Sequence, residues 1–220
     1  MKKDMVEVVF IMDRSGSMSG LEADTIGGFN AMLKDQKKES DNIIWSTVLF
    51  DHETEVIHDR VPVDKVKPLD EDTYYVRGCT ALLDAVGGGI HHIGNVHKYA
   101  REEDRPKKTL FIITTDGMEN ASRFYTYEKV KKMIERQKER YGWEFVFLGA
   151  NMDAVQVAGR IGIDEDRAAR FHNDDQGIAV NFEETSRIVG AVAKMDAFPN
   201  ASLDSIRDDY KSRKKSKKRG

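Results

Sequence analysis

The chain has 220 residues, 40% hydrophobic and 33% charged, which suits one globular α/β domain able to bury its core without covalent staples. Its net charge of -3 hides a split: residues 211–219 (KSRKKSKKR) carry seven of the 35 Lys and Arg and no acid, so residues 1–210 hold 28 basic against 38 acidic side chains. A single cysteine, Cys79, excludes an intramolecular disulfide and a thiolate metal cage, and no stretch approaches the roughly 18 apolar residues a membrane span needs.

Residues 6–12 (VEVVFIM) are a β-branched and aromatic run that predicts a buried strand. The apolar run is broken by Glu7, is too short for a signal peptide and ends in an acid, so the chain is expected in the cytoplasm. It stops at Asp13, and Gly16 and Gly20 follow in a polar loop. Residues 21–38 predict a helix with Leu21, Ile26, Phe29 and Leu33 on its apolar face. Residues 42–50 (NIIWSTVLF) predict a second strand, and residues 54–63 a third at a sheet edge. Residues 64–79 read as loop, with Pro68 and the acidic run Asp70-Glu71-Asp72. The pattern over 80–99 is helical, although Gly87-Gly88-Gly89 interrupts it. Residues 109–114 (TLFIIT) form the clearest buried strand; an amphipathic helix over 127–141 and a strand over 144–148 (EFVFL) follow. Residues 152–162 predict a short helix closed by a glycine, 168–172 a last strand and 176–195 a last helix. Residues 200–220 are polar and basic and are expected to be a disordered tail behind a domain over 1–199.

Short apolar strands alternating with helices imply a doubly wound α/β fold, its central sheet mostly parallel and covered by helices on both faces. Ligands in such folds sit outside the carboxyl ends of the strands, where strand order reverses. There the first strand delivers Asp13, Ser15 and Ser17, the strand over 109–114 delivers Thr115-Asp116-Gly117, and the loop before residue 80 delivers Gly78-Cys79-Thr80. The first and fourth strands are neighbours in this topology, so two carboxylates and three hydroxyls converge. All five are hard oxygen donors, which disfavours a soft metal. Mg²⁺ fits best because it takes an octahedron of oxygens with one or two carboxylates; Mn²⁺ suits a similar shell, and Ca²⁺ usually recruits more ligands.

Asp13-x-Ser15-x-Ser17, the Gly78-Cys79-Thr80 approach and Thr115-Asp116-Gly117 resemble, in order and placement, the metal-ion-dependent adhesion site of von Willebrand factor A-type domains over about residues 5–195. The resemblance implies direct coordination by Ser15, Ser17 and Thr80. Asp13 and Asp116 then act through waters or directly, and an acidic side chain of a partner protein completes the shell. The phrases Thr80-Ala-Leu-Leu-Asp84-Ala and Thr115-Asp-Gly-Met-Glu-Asn-Ala-Ser122 look like bacterial or phage stand-alone members, for which no anchor and no adhesion role are expected.

Blander roles compete for each residue. Ser15, Ser17 and Thr80 are also natural helix caps, and Asp116-Gly117 is also a turn. Asp84 and Glu119 either support the metal ligands or are ordinary charges. His91, His92 and His97 lie on one helix facing different directions and do not form a zinc site. Cys79 reads as a small buried residue without a redox role, the triple glycine as close helix packing, and Arg77 as a greeting for an acidic partner or a solvated loop charge. The alternative function is a Mg²⁺-dependent, phosphatase-like hydrolase using Asp13. Ser15 stands where a haloacid-dehalogenase-type enzyme has its second Asp, and no nucleophile elbow is present. A nucleotide-binding Rossmann reading lacks its glycine-rich turn. Nucleic acid is an expected partner only through the basic tail, which has no aromatic residues after Tyr210 for stacking.

Overall fold

The computed structural model describes residues 5–194 and 203–216. Its sheet has the order β3-β2-β1-β4-β5-β6. The first strand, β1 (Val6–Asp13), is buried at every position, because it lies in the middle of the sheet with helices on both sides. It pairs in parallel with β2 (Ile43–Phe50) and β4 (Lys108–Thr115). On one side β3 (Thr54–Pro62) closes the sheet as an antiparallel edge. On the other, β5 (Glu144–Gly149) and the short β6 (Ala168–Arg170) continue it in parallel. The six strands are those expected, with bounds shifted by one or two residues, and the expected neighbours β1 and β4 and the expected edge strand β3 are found in place.

The period of two along β1 splits the core into two layers. Phe10 and Met12 face one layer with Phe29 of α1 (Glu22–Glu39) and Phe182 of α5 (Asp175–Lys194). Val9 and Ile11 face the other, with α2 (Leu82–Tyr99), α3 (Tyr127–Tyr141) and α4 (Ala154–Arg160). The triple glycine sits inside α2; a Cβ on Gly87 would lie 2.3 Å from the Tyr125 ring, so close packing accounts for Gly87, whereas one on Gly88 would meet nothing within 4 Å.

The expected disordered tail is corrected. Asp204–Ser216 is a helix, α6, and composition misses it because its apolar contribution is small but aligned. Leu203 and Ile206 are fully buried in the first core layer. One turn on, Tyr210 stacks on His172 at a ring separation of 4.5 Å. Arg207 donates to the carbonyls of Glu165, Asp166 and Ala168, and Arg213 pairs with Asp174 and Asp209. The expected end of the preceding helix at Met195, and tail residues 200–202 and 217–220, lie outside the described residues. Among the described residues no helix is long and apolar enough to cross a membrane.

Two adjacent glycines of α1 test the packing of its inner face. A Cβ on Gly28 would meet Phe182 at 2.3 Å, whereas one on Gly27 meets nothing within 4 Å. Gly28→Ala is expected to lower unfolding stability by about 1–3 kcal/mol through overpacking. Gly27→Ala is expected to raise it by about 0.5–1 kcal/mol through helix propensity. Urea titrations of the two variants check the contrast.

Candidate metal centre

Parallel register sets the site. Met12 lies opposite Thr114, and Asp13 opposite Phe50, so β1, β2 and β4 end at one level and their loops rise together. Four of the five expected residues form a continuous chain of oxygens. Thr80 Oγ1 donates to Ser15 Oγ at 3.0 Å, Ser15 Oγ is 3.1 Å from Ser17 Oγ, and Ser17 Oγ donates to Asp116 Oδ1 at 2.5 Å. Asp13 stands beside this chain. Its Oδ1 accepts from the Ser15 backbone N–H at 2.7 Å, and its Oδ2 from Thr115 Oγ1 at 2.5 Å.

The capping alternatives fail on geometry. Ser15 precedes a short 3₁₀ turn over Gly16–Met18 without a side-chain cap bond, and Ala81, not Thr80, occupies the N-cap of α2. The hydroxyls turn inward to each other instead. Gly117 leaves the space they converge on: a Cβ there would sit 2.5 Å from Thr80 Oγ1, 3.1 Å from Ser17 Oγ and 3.3 Å from Ser15 Oγ.

Both carboxylates are buried. Burial pushes Asp13 up to about 6, against the lowering effect of hydrogen bonds from Thr115 and Ser15. Burial also raises Asp116, against hydrogen bonds from Ser17 and Asn173. Neighbouring carboxylates short of water favour any cation that reaches them. The hydroxyls, hydrogen-bonded to one another at 3.0 and 3.1 Å, lie close enough together for one cation to replace those hydrogen bonds. The donor set therefore fits a bound divalent metal.

A second layer of contacts fixes the loops, and most of it was not anticipated. Tyr74 Oη donates to the Asp13 carbonyl at 2.8 Å. Arg14 is fully buried and gives its Nε to Asp51 at 2.9 Å, while Arg77 Nε reaches the same oxygen at 2.8 Å. The Arg77 N–H also donates to the Arg14 carbonyl, and the Ala81 N–H to the Asp51 carbonyl. Asp51, at the end of β2, thus ties the Asp13–Ser17 loop to the loop carrying Thr80. Arg77, expected on the surface, serves this network. Asn173, just beyond β6, donates to Asp116 Oδ2 at 2.9 Å. No motif marks Asp51 or Asn173; only the spatial pairing does.

The remaining candidates fall elsewhere. Asp84 accepts from the backbone N–H groups of Arg123, Phe124 and Tyr125. Glu119 accepts from those of Leu83, Ala121 and Ser122. Both organise the loop after β4 and touch none of the five side chains. His92 pairs with Asp59 and His97 with Glu7, pointing to separate places. Cys79, expected to be buried, is instead exposed and free, because it sits in the loop that runs up to Thr80. Asp51, His52 and Glu53 bring three donor atoms within 4.8 Å of one another. Arg14 and Arg77 already neutralise Asp51, and Arg77 also pairs with Glu53, so that trio is an ion-pair network and a poor cation site.

No protein-family model matches the chain, and no curated protein matches it in sequence. Solved structures do match in fold. The vWF domain of the type V pili tip protein from Porphyromonas gingivalis matches with a TM-score of 0.59 at 12% identity, over 84% of this chain and 95% of that one. The PilB minor pilin from Streptococcus sanguinis matches at 0.57 and 13% identity, over 85% of this chain and 61% of the pilin. Proximal thread matrix protein 1 from the mussel byssus, with a zinc-occupied metal-ion-dependent adhesion site, matches at 0.55 and 16% identity, over 86% of this chain and 46% of that one. The chain thus spans less than two thirds of the pilin and less than half of the byssus protein. The chain has the von Willebrand factor A-type fold.

Asp51 supplies a test of how the loops are held. Burial alone would raise its carboxyl, but hydrogen bonds from Arg77, the Glu53 backbone and Arg14 outweigh it and hold the group below 3.8. The stabilisation is therefore complete above pH 3.8 and is lost as pH falls below that value. Asp51→Asn, which removes the buried one of Arg14's two carboxylate partners and leaves it only the half-exposed Glu55, is expected to destabilise the fold by about 1–3 kcal/mol at neutral pH. Unfolding titrations across pH should show the penalty shrinking below pH 3.8.

Proposed function

We propose that the chain is a divalent-metal-dependent protein-binding module. Ser15, Ser17 and Thr80 hold Mg²⁺, or Mn²⁺, directly. Asp116 supports it through the Ser17 end of the chain, and Asp13 acts through the water and hydroxyl network. The observation that carries this reading is the unbroken run of hydroxyl and carboxylate oxygens from Thr80 to Asp116, opened by Gly117. The bound ion would supply a Lewis-acid position for an anionic group. The chain's own side chains orient their oxygens, exclude the alkyl group a larger residue at 117 would insert, and leave partner binding to the exposed side near Ser17. An acidic side chain of a partner protein is the group that completes the shell. The zinc-occupied site of the byssus protein lends support by likeness of fold.

A hydrolase using Asp13 is the weaker reading. Both Asp13 oxygens already accept hydrogen bonds, and the side chain is buried, so it is not poised to attack a substrate. Among the described residues no His or Lys hydrogen-bonds to any of the five side chains to serve as a base.

The test uses melting temperature. Mg²⁺ is expected to raise that of the wild type in proportion to the logarithm of its concentration once the site fills. Asp13→Asn is expected to show no Mg²⁺ shift, each protein being compared with its own metal-free form. A shift of equal size in both proteins would defeat the proposal.

A further inference from the structure

The loops around the candidate metal centre also carry much of the exposed apolar surface. Seven large apolar side chains are exposed among the described residues, and four of them lie at this end of the sheet: Tyr75, Met118, Phe124 and Val155. Met118 follows Gly117 directly and is 63% exposed; Phe124, in the same loop, is 77% exposed. Solvent exposure of such groups is usual on mobile loops, but this loop is fixed. The Asn120 and Ala121 N–H groups donate to the Thr80 carbonyl, and Asn120 Oδ1 accepts from the Thr80 N–H. Glu119 and Asp84 then secure the backbone from residue 121 to residue 125. Tyr75 is held as well, with the guanidinium carbons of Arg14 and Arg77 at 5.0 and 5.6 Å from its ring centroid. Apolar side chains presented on a preorganised backbone lose little entropy on binding, which is the usual character of interface anchors.

The ion sets the occupant's charge: residues 1–210 carry 38 acidic against 28 basic side chains, so an acidic segment is attracted at the cation alone and needs a further source of affinity beside it. One carboxylate on one exposed metal ion is a weak hold in water, and apolar contact beside it supplies the rest.

We propose that Met118, Phe124 and Tyr75 form an apolar rim that selects, in the partner protein, an Asp or Glu flanked by bulky apolar residues. This deepens the metal-bridged reading and rests on it. The rim sets which acidic segments bind, and the ion sets that an acid is required.

The test uses synthetic peptides of Gly and Ser around one central Asp, with Leu or Phe placed at successive flanking positions, measured by fluorescence anisotropy in Mg²⁺. Wild type is expected to bind the best Leu- or Phe-flanked peptide about tenfold or more tightly than the Gly/Ser parent. The double variant Met118→Ser, Phe124→Ser is expected to lose that preference while keeping its melting temperature and its affinity for Mn²⁺, since neither side chain is buried. Asp-containing peptides that bind regardless of flank, or a double variant that keeps the preference, would overturn the rim and leave the metal-bridged reading standing. No Mg²⁺-dependent binding of any Asp peptide by a protein that holds Mn²⁺ would overturn both.

Discussion

Asp13 and Asp116 close the ends of two adjacent parallel strands, and both side chains are buried. Like charges placed there raise each other's cost and that of the fold. Everything around them offsets that cost: Thr115 and the Ser15 backbone donate to Asp13, and Ser17 and Asn173 donate to Asp116. Every one of these partners is a neutral hydrogen-bond donor. Cationic side chains are present nearby, yet Arg14 and Arg77 are turned onto Asp51. The carboxylates are therefore solvated by the protein without being neutralised by it, an arrangement suited to a mobile cation.

The Asp51 network explains why the loops can hold this geometry. A buried Arg in the middle of the Asp13–Ser17 loop is costly unless its charge is met. Meeting it with Asp51 ties that loop to the end of β2, and the Arg77 contact extends the tie to the loop carrying Thr80. The same loop after β4 that delivers Asp116 is anchored on the Thr80 carbonyl. Ligand positions on three separate segments thus move as one body, which is what a site with few ligands needs to select ion size.

Much of this was legible in the sequence because it is written in local patterns. Short apolar strands, helical periodicity and the three oxygen-bearing motifs each carry their own signal, so the adjacency of β1 and β4 and the meeting of Asp13, Ser15, Ser17, Thr80 and Asp116 followed from topology. Long-range pairings were not legible. Asp51 and Arg14 are 37 positions apart, and Asn173 and Asp116 are 57 apart, and nothing local distinguishes these residues from ordinary polar ones. The helix α6 was hidden for another reason: its charged residues dominate any composition window, while Leu203, Ile206 and Tyr210 carry its docking. Periodicity over those three positions, given more weight than polarity, would have found it.

The central claim is that one divalent cation is held by these side chains together. Titration of the protein with Mn²⁺, followed by the loss of the free-ion paramagnetic resonance signal, measures it directly. The account predicts a single site displaced by Mg²⁺, with affinity falling by about tenfold or more in Ser15→Ala and in Thr80→Ala. Mn²⁺ binding that is unchanged in both variants, or an ion displaced by Ca²⁺ in preference to Mg²⁺, would contradict it.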